Sequence, residues 1–268
     1  MQFVVAGIVA IADYFGAALL LARPSAERGS PARRLALACA TLGTLLHALI
    51  LLGIHRGALD LHFFAALSLV GFGIAALTLI VNLIRPVAAL GVIVFPLAAI
   101  LLGVDEFLAP PTIPTPLDWQ IKLHVMVGLI GFSVLAIAAV LAVLLALQER
   151  SLRGRRLDSV WIRALPPLTL TESLLFRLIG AGFILLTLTL LTGMLFVQNL
   201  FAQDLVEKTV LSIIAWAVFG ALLAGRRLWG WRGARAVNLT LIGMVVLALA
   251  FFGSKFVLEL VLHRIPPA

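Results

Sequence analysis

The sequence predicts an all-α fold, a polytopic membrane helix bundle of about eight transmembrane helices with the N and C termini outside. Three observations predict it. Of 268 residues, 63% are hydrophobic and only 12% charged, and the mean hydropathy is +1.17, whereas soluble domains are about half apolar and about a quarter charged. The apolar residues form eight unbroken runs, each close to the roughly 20 residues that a helix needs to cross a bilayer. Most of the 20 Lys and Arg residues lie in alternate connectors between those runs, which is the signature of a membrane orientation.

Taken in order, the runs cover about 3–22, 35–54, 62–83, 87–104, 119–147, 174–198, 208–225 and 236–262. In hydrocarbon a run must satisfy its own backbone, which a helix does, and these runs are too long and too evenly apolar for barrel strands. The first lacks a basic start and carries Asp13 in its middle, so it reads as a helix of the mature chain and not as a secretory signal. The connectors holding Arg23 to Arg34, Arg85, Arg150 to Arg163 and Arg226 to Arg235 are strongly basic and are expected on the cytoplasmic side. The segment 105–118 contains Pro110, Pro111, Pro114 and Pro116, which favour extended backbone over helix. Residues 151–168 mix arginines with Leu157, Val160, Trp161 and Ile162, a pattern suited to lying on anionic headgroups. Thr169 and Glu172 have the spacing of a capping box for the sixth helix. Gly180 and Gly182, and the pair Ala217 and Ala221, read as close helix contacts. The whole of 1–268 is expected to form a single integral membrane domain, multi-pass in a bacterial inner (cytoplasmic) membrane.

Composition also excludes functions. A net charge of +8 would point to nucleic acid in a soluble chain, but here the arginines sit beside apolar runs, so the lipid bilayer is the partner and nucleic acid is not. The single Cys39 excludes an internal disulfide and paired-thiol redox chemistry.

Polar groups within the spans are expensive and therefore informative, a charge at mid-bilayer costing on the order of 2.5–3.5 kcal/mol. Asp13, His47, Asn82 and Lys255 fall in this class. His124 lies near the external start of the fifth helix and His263 at the external finish of the eighth, so their depths match. Two imidazoles at one depth can hold a metal, and neither cysteine nor an acidic cluster completes a zinc site. A haem iron, with four nitrogens from its macrocycle, needs only two axial ligands, and Trp119, Phe132, Trp216, Phe251, Phe252 and Phe256 offer flat walls. The plainer reading of each histidine is a snorkelling or capping group. His47 is either a second ligand position or a histidine hydrogen-bonded to a Ser, Thr or Asn of a neighbouring helix. Lys255 either snorkels, neutralises Asp13, or holds a haem propionate. His55 and His62, beside the second connector, carry less weight.

Three stretches then resemble a known family: "LHVMVGLIGFSVLAIAAVLAVLLALQERSLR" from Leu123, "VLSIIAWAVFGALLAGRRLWGWRGARAV" from Val210, and "FFGSKFVLELVLHR" from Phe251. With "LLHALILLG" from Leu45 and "FFAALSLV" from Phe63, they are similar to the CcsA/HemX-like integral membrane proteins of the cytochrome c assembly superfamily. The resemblance implies haem handling at the outer face between two histidines, matched by position to His124 and His263, with His47 resembling an additional intramembrane histidine. Where the assembly proteins carry a tryptophan-rich WGxxWxWD segment, this chain has "VQNLFAQDLVEKTV" from Val197, and no histidine stands at Gly225 or Arg226. It thus resembles the shorter HemX-type branch.

The expected function is binding of haem or a related tetrapyrrole, assisting cytochrome c assembly or haem supply, alongside other assembly membrane proteins and without a catalytic residue set. Cofactor-binding residues are expected at His124, His263, His47, Lys255 and Trp119, with haem as cofactor and His124 and His263 as axial ligands. Two other classes remain open: a small-solute transporter using Asp13, His47 and Lys255, and a membrane scaffold without a bound cofactor.

Overall fold

The computed structural model describes residues 2–23, 29–55, 62–84, 88–109, 118–153, 167–196, 203–253, 255 and 256. They form α1 (Gln2–Leu21), α2 (Pro31–His55), α3 (Phe63–Ile84), α4 (Ala88–Leu108), α5 (Trp119–Arg153), α6 (Leu168–Phe196), α7 (Gln203–Trp229) and α8 (Ala234–Ala248), which passes into a π turn at Leu249–Gly253. No strand occurs among the described residues. All eight helices are long and apolar enough to cross a membrane.

Several helices extend beyond their apolar runs, because a helix satisfies its own backbone in water as well as in lipid. α2 opens at Pro31, not 35, and the Arg33 amide donates to Ser30 Oγ at 3.2 Å. This is an N-cap serine followed by a proline at the first helical position. α4 runs on to Leu108, so Asp105 and Glu106 belong to its last turns and not to the connector. α6 opens at Leu168, which places Thr169 inside the helix. The capping-box reading is thereby corrected: the Glu172 carboxylate instead takes Arg226 and Arg232. Most of the proline-rich connector and of the 151–168 segment, with His263, lie outside the described residues.

Within residues 1–268, read above as one membrane domain, the helices pack as two compact units, Met1–Pro116 with Arg150–Pro167, and Leu117–Glu149 with Leu168–Ala268. In the first, α1 packs on α2 and α4, and α3 on α2 and α4. Its core surrounds Tyr14 and Phe95 with Ala17, Ala36, Ala40, Ala75, Ala98 and Ala99. Small residues let backbones approach where lipid gives no hydrophobic drive for helix association. At Gly43 an added Cβ would stand 3.2 Å from the Ala10 carbonyl oxygen and 3.2 Å from Asp13 Cβ. In the second unit α7 packs on α6 and α8, and α5 meets α6 where Gly131 faces Leu185 and Gly182 faces Leu135. Gly182 is therefore a contact as expected. Gly180 has nothing within 4 Å of a built Cβ, and Ala217 and Ala221 are exposed, since the helical period turns them away from the neighbouring helices.

Two substitutions should move stability in opposite directions in a detergent melt. Gly43→Leu forces α1 and α2 apart and is expected to cost about 1–3 kcal/mol. Gly180→Ala, with open space and a better helix former, should hold or raise the midpoint; a lowered midpoint there would contradict the packing described.

Candidate functional site

In the second unit, α5 carries His124, Gly128 and Phe132 at intervals of one turn and hence on one face. α6 closes on that face with Thr189, Thr192 and Gly193. His124 Nδ1 lies 3.0 Å from Thr192 Oγ1, and a Cβ at Gly193 would stand 3.2 Å from His124 Cε1. The absent side chain lets the half-buried imidazole lie against the α6 backbone. One turn on, Phe251 of the π turn and the Thr189 methyl fill the space over Gly128, at 3.1 and 3.3 Å from a built Cβ. Phe132 meets Phe251 at 5.1 Å and Phe252 at 5.3 Å between ring centres. π turns inserted in α-helices often mark functional sites, and this one delivers two aromatic rings to the His124 face.

Nε2 of His124 makes no hydrogen bond to the described residues. Trp119 is exposed at the start of α5, edge-on to Phe196. Trp216 stacks on Phe183 and donates to Thr187 Oγ1, away from His124. Lys255 is half-buried just past the π turn. Among the described residues, no group of three or more His, Cys, Asp or Glu could hold a metal.

The first unit holds His47 in a different setting. Tyr14, His47 and Ser68 are fully buried. Ser68 Oγ lies 3.1 Å from His47 Nε2, Tyr14 Oη lies 3.3 Å from His47 Nδ1, Tyr14 donates to Thr44 Oγ1 at 3.3 Å, and Thr44 donates to the Ala40 carbonyl at 2.7 Å. One direction satisfies every hydrogen: Ser68 to Nε2, Nδ1–H to Tyr14, Tyr14 to Thr44, Thr44 to the backbone. His47 is accordingly neutral with both nitrogens engaged, joining α1, α2 and α3. Phe95 stacks on Tyr14 and Phe72 meets the His47 edge. Beside this chain, Asp13 Oδ2 is buried and without a hydrogen-bond partner among the described residues. His62 Nε2 stands 3.7 Å from Asp105 Oδ1.

Tyr14, Ser68, Thr44 and Thr192 were not singled out from sequence. The lone tyrosine in an apolar span carried a signal, because a buried phenol needs a partner; one Thr among many on α6 did not. Removing one member of the His47 chain should show its worth. Ser68→Ala removes the hydroxyl from Nε2 and is expected to cost about 1–3 kcal/mol in a melt, against less than about 0.5 kcal/mol for the exposed Thr41→Ala. Equal losses for the two would contradict the chain.

Comparison with known proteins gives the family. Residues 33–262 match the model of the family described as cytochrome c assembly protein. The Inner membrane protein YpjD of Escherichia coli (strain K12) is 40% identical over 138 residues, 52% of either chain. The Cytochrome c biogenesis protein CcsA of Synechococcus sp. (strain WH7803) is 25% identical over 176 residues, covering 54% of this chain and 55% of that protein. That of Chlamydomonas reinhardtii is 24% identical over 155 residues, 56% and 42% respectively. The chain spans about half the length of the curated relatives it matches first. No solved structure matches. With eight helices fit to span a bilayer and a family model matched over most of its length, the chain belongs to the cytochrome c assembly protein family, as a multi-pass protein of the inner membrane.

Proposed function

We propose that this protein serves cytochrome c biogenesis by binding haem or a related tetrapyrrole at one end of its second unit, where His124 and His263 would hold the iron. The observation that carries the reading is the state of His124: Nδ1 anchored on Thr192, Nε2 without a hydrogen bond to the described residues, and aromatic rings of the π turn on the same face of α5. This donor chemistry fits haem, which asks the protein for imidazole nitrogens on the iron axis and apolar surface for the ring. When bound, haem supplies a redox-active iron centre. The chain's own work is to orient the imidazole, shield the ring faces with Phe132, Phe251 and Phe252, and offer Lys255 to a propionate. Trp119 stands at the rim of this region. Within the proposal His47 is a structural group, because both its nitrogens bond inside the first unit.

The charge bias of the connectors supports placing the Trp119 end of α5 on the outer side, with both termini outside. In place of the tryptophan-rich segment of the assembly proteins, residues 197–210 carry no tryptophan. The proposed role is therefore haem holding or supply, beside other assembly proteins. A solute path through Asp13, His47 and Lys255 is less well supported, since His47 is closed into Tyr14 and Ser68.

Purified protein titrated with haem should develop a Soret band, and a His124→Ala, His263→Ala double variant should lose most of it while retaining its melt. A band of full strength in the double variant overturns the assignment.

A further inference from the structure

We propose that Thr192 sets the tautomer of His124, holding the proton on Nδ1 so that Nε2 keeps its lone pair for a ligand. The hydroxyl oxygen of Thr192 lies 2.9 Å from the Leu188 carbonyl and 3.0 Å from the Thr189 carbonyl. Both carbonyls can only accept, and the hydroxyl has one hydrogen. Were that hydrogen turned to His124, two carbonyl oxygens would face the hydroxyl oxygen with no proton between. The hydrogen therefore goes to the α6 backbone, and towards His124, at 3.0 Å, Thr192 offers only a lone pair. Nδ1 must then carry the proton. A neutral imidazole has one N–H, so Nε2 is the bare nitrogen.

The packing against Gly193 fixes the direction of that nitrogen. A Cβ built on Gly193 meets Cε1 at 3.2 Å and Nδ1 at 3.8 Å, with Nε2 not among the atoms within 4 Å. The ring turns its Nδ1 edge towards α6 and Nε2 away from it. Thr192 is thus a positioning residue: it touches the imidazole, acts through it, and has no expected contact with the ligand itself. Partners of this kind orient metal-binding histidines and raise their basicity. The consequence for haem rests on the reading proposed above, but the tautomer does not.

The test separates the two. In the haem-free protein, nitrogen-15 NMR of labelled histidine, with His124 assigned from a His124→Ala spectrum, should report an Nδ1–H ring. Thr192→Val keeps the branched shape and removes the hydroxyl acceptor, leaving the Thr189 carbonyl as the backbone acceptor near the ring; the share of the Nε2–H form is expected to rise, and Thr192→Ser to restore Nδ1–H. Haem affinity should fall about 10–100-fold in Thr192→Val and recover in Thr192→Ser. An Nε2–H ring in the unaltered protein, or an Nδ1–H share unchanged in Thr192→Val, overturns the proposal. An Nδ1–H ring that responds to Thr192, in a protein that develops no Soret band, supports the tautomer control and defeats the haem reading alone.

Discussion

In hydrocarbon a polar hydrogen has no water to turn to, and this constraint organises both histidine sites. Each is built around a threonine that gives its hydrogen to its own helix: Thr44 to Ala40 and Thr192 to Leu188 or Thr189. Once committed in this way, the hydroxyl is an acceptor only, and the groups leaning on it must donate. The backbone of a helix thereby sets the direction of a side-chain network. At Thr44 the donor is Tyr14, and the order passes through His47 to Ser68. At Thr192 the donor is His124 itself, and the order ends there.

The difference between the two histidines follows from what lies on their second nitrogen. His47 meets a serine from α3 and becomes part of the core, where Ala40, Ala98 and Phe95 close around Tyr14. His124 meets no hydrogen-bond partner among the described residues on that side, and the nearest elements contribute aromatic faces. Glycine makes both arrangements possible: Gly43 lets α1 and α2 close on the Tyr14 chain, and Gly193 lets an imidazole lie on α6. Formal charge is handled separately. At the α7–α8 hairpin the Arg226 guanidinium donates to Glu172 at 2.8 Å and caps the Phe176 ring at 4.6 Å, so one carboxylate and its arginines are satisfied at a helix end and not in mid-span.

Much of the fold was legible because transfer to lipid is so demanding: eight apolar runs could only be eight helices. The ends were less legible, since hydropathy marks the embedded part while helices stop at caps, as Ser30 and Pro31 show for α2. His124 stood out as a costly polar group near a helix end, and Phe132, Phe251 and Phe252, which cluster on its side of α5, were among the aromatic residues read with it, whereas Trp216 stacks on Phe183 instead. Thr192 was not legible. Its importance comes from a partner 68 residues away in the chain, and a threonine on an apolar helix ordinarily bonds only its own backbone. The same holds for Ser68, whose role depends on which face of α3 turns to α2. Glu172 was noticed for the wrong reason, because local spacing suggested a cap while its partners lie on the hairpin between α7 and α8.

The proposed haem binding depends on His124 as an imidazole that would hold the iron together with a second imidazole. Low-temperature electron paramagnetic resonance of the ferric haem-loaded protein examines this most directly. A low-spin bis-imidazole spectrum that turns high-spin in His124→Ala is the expected result. A high-spin spectrum from the unaltered protein, or a low-spin one indifferent to His124→Ala, would contradict it.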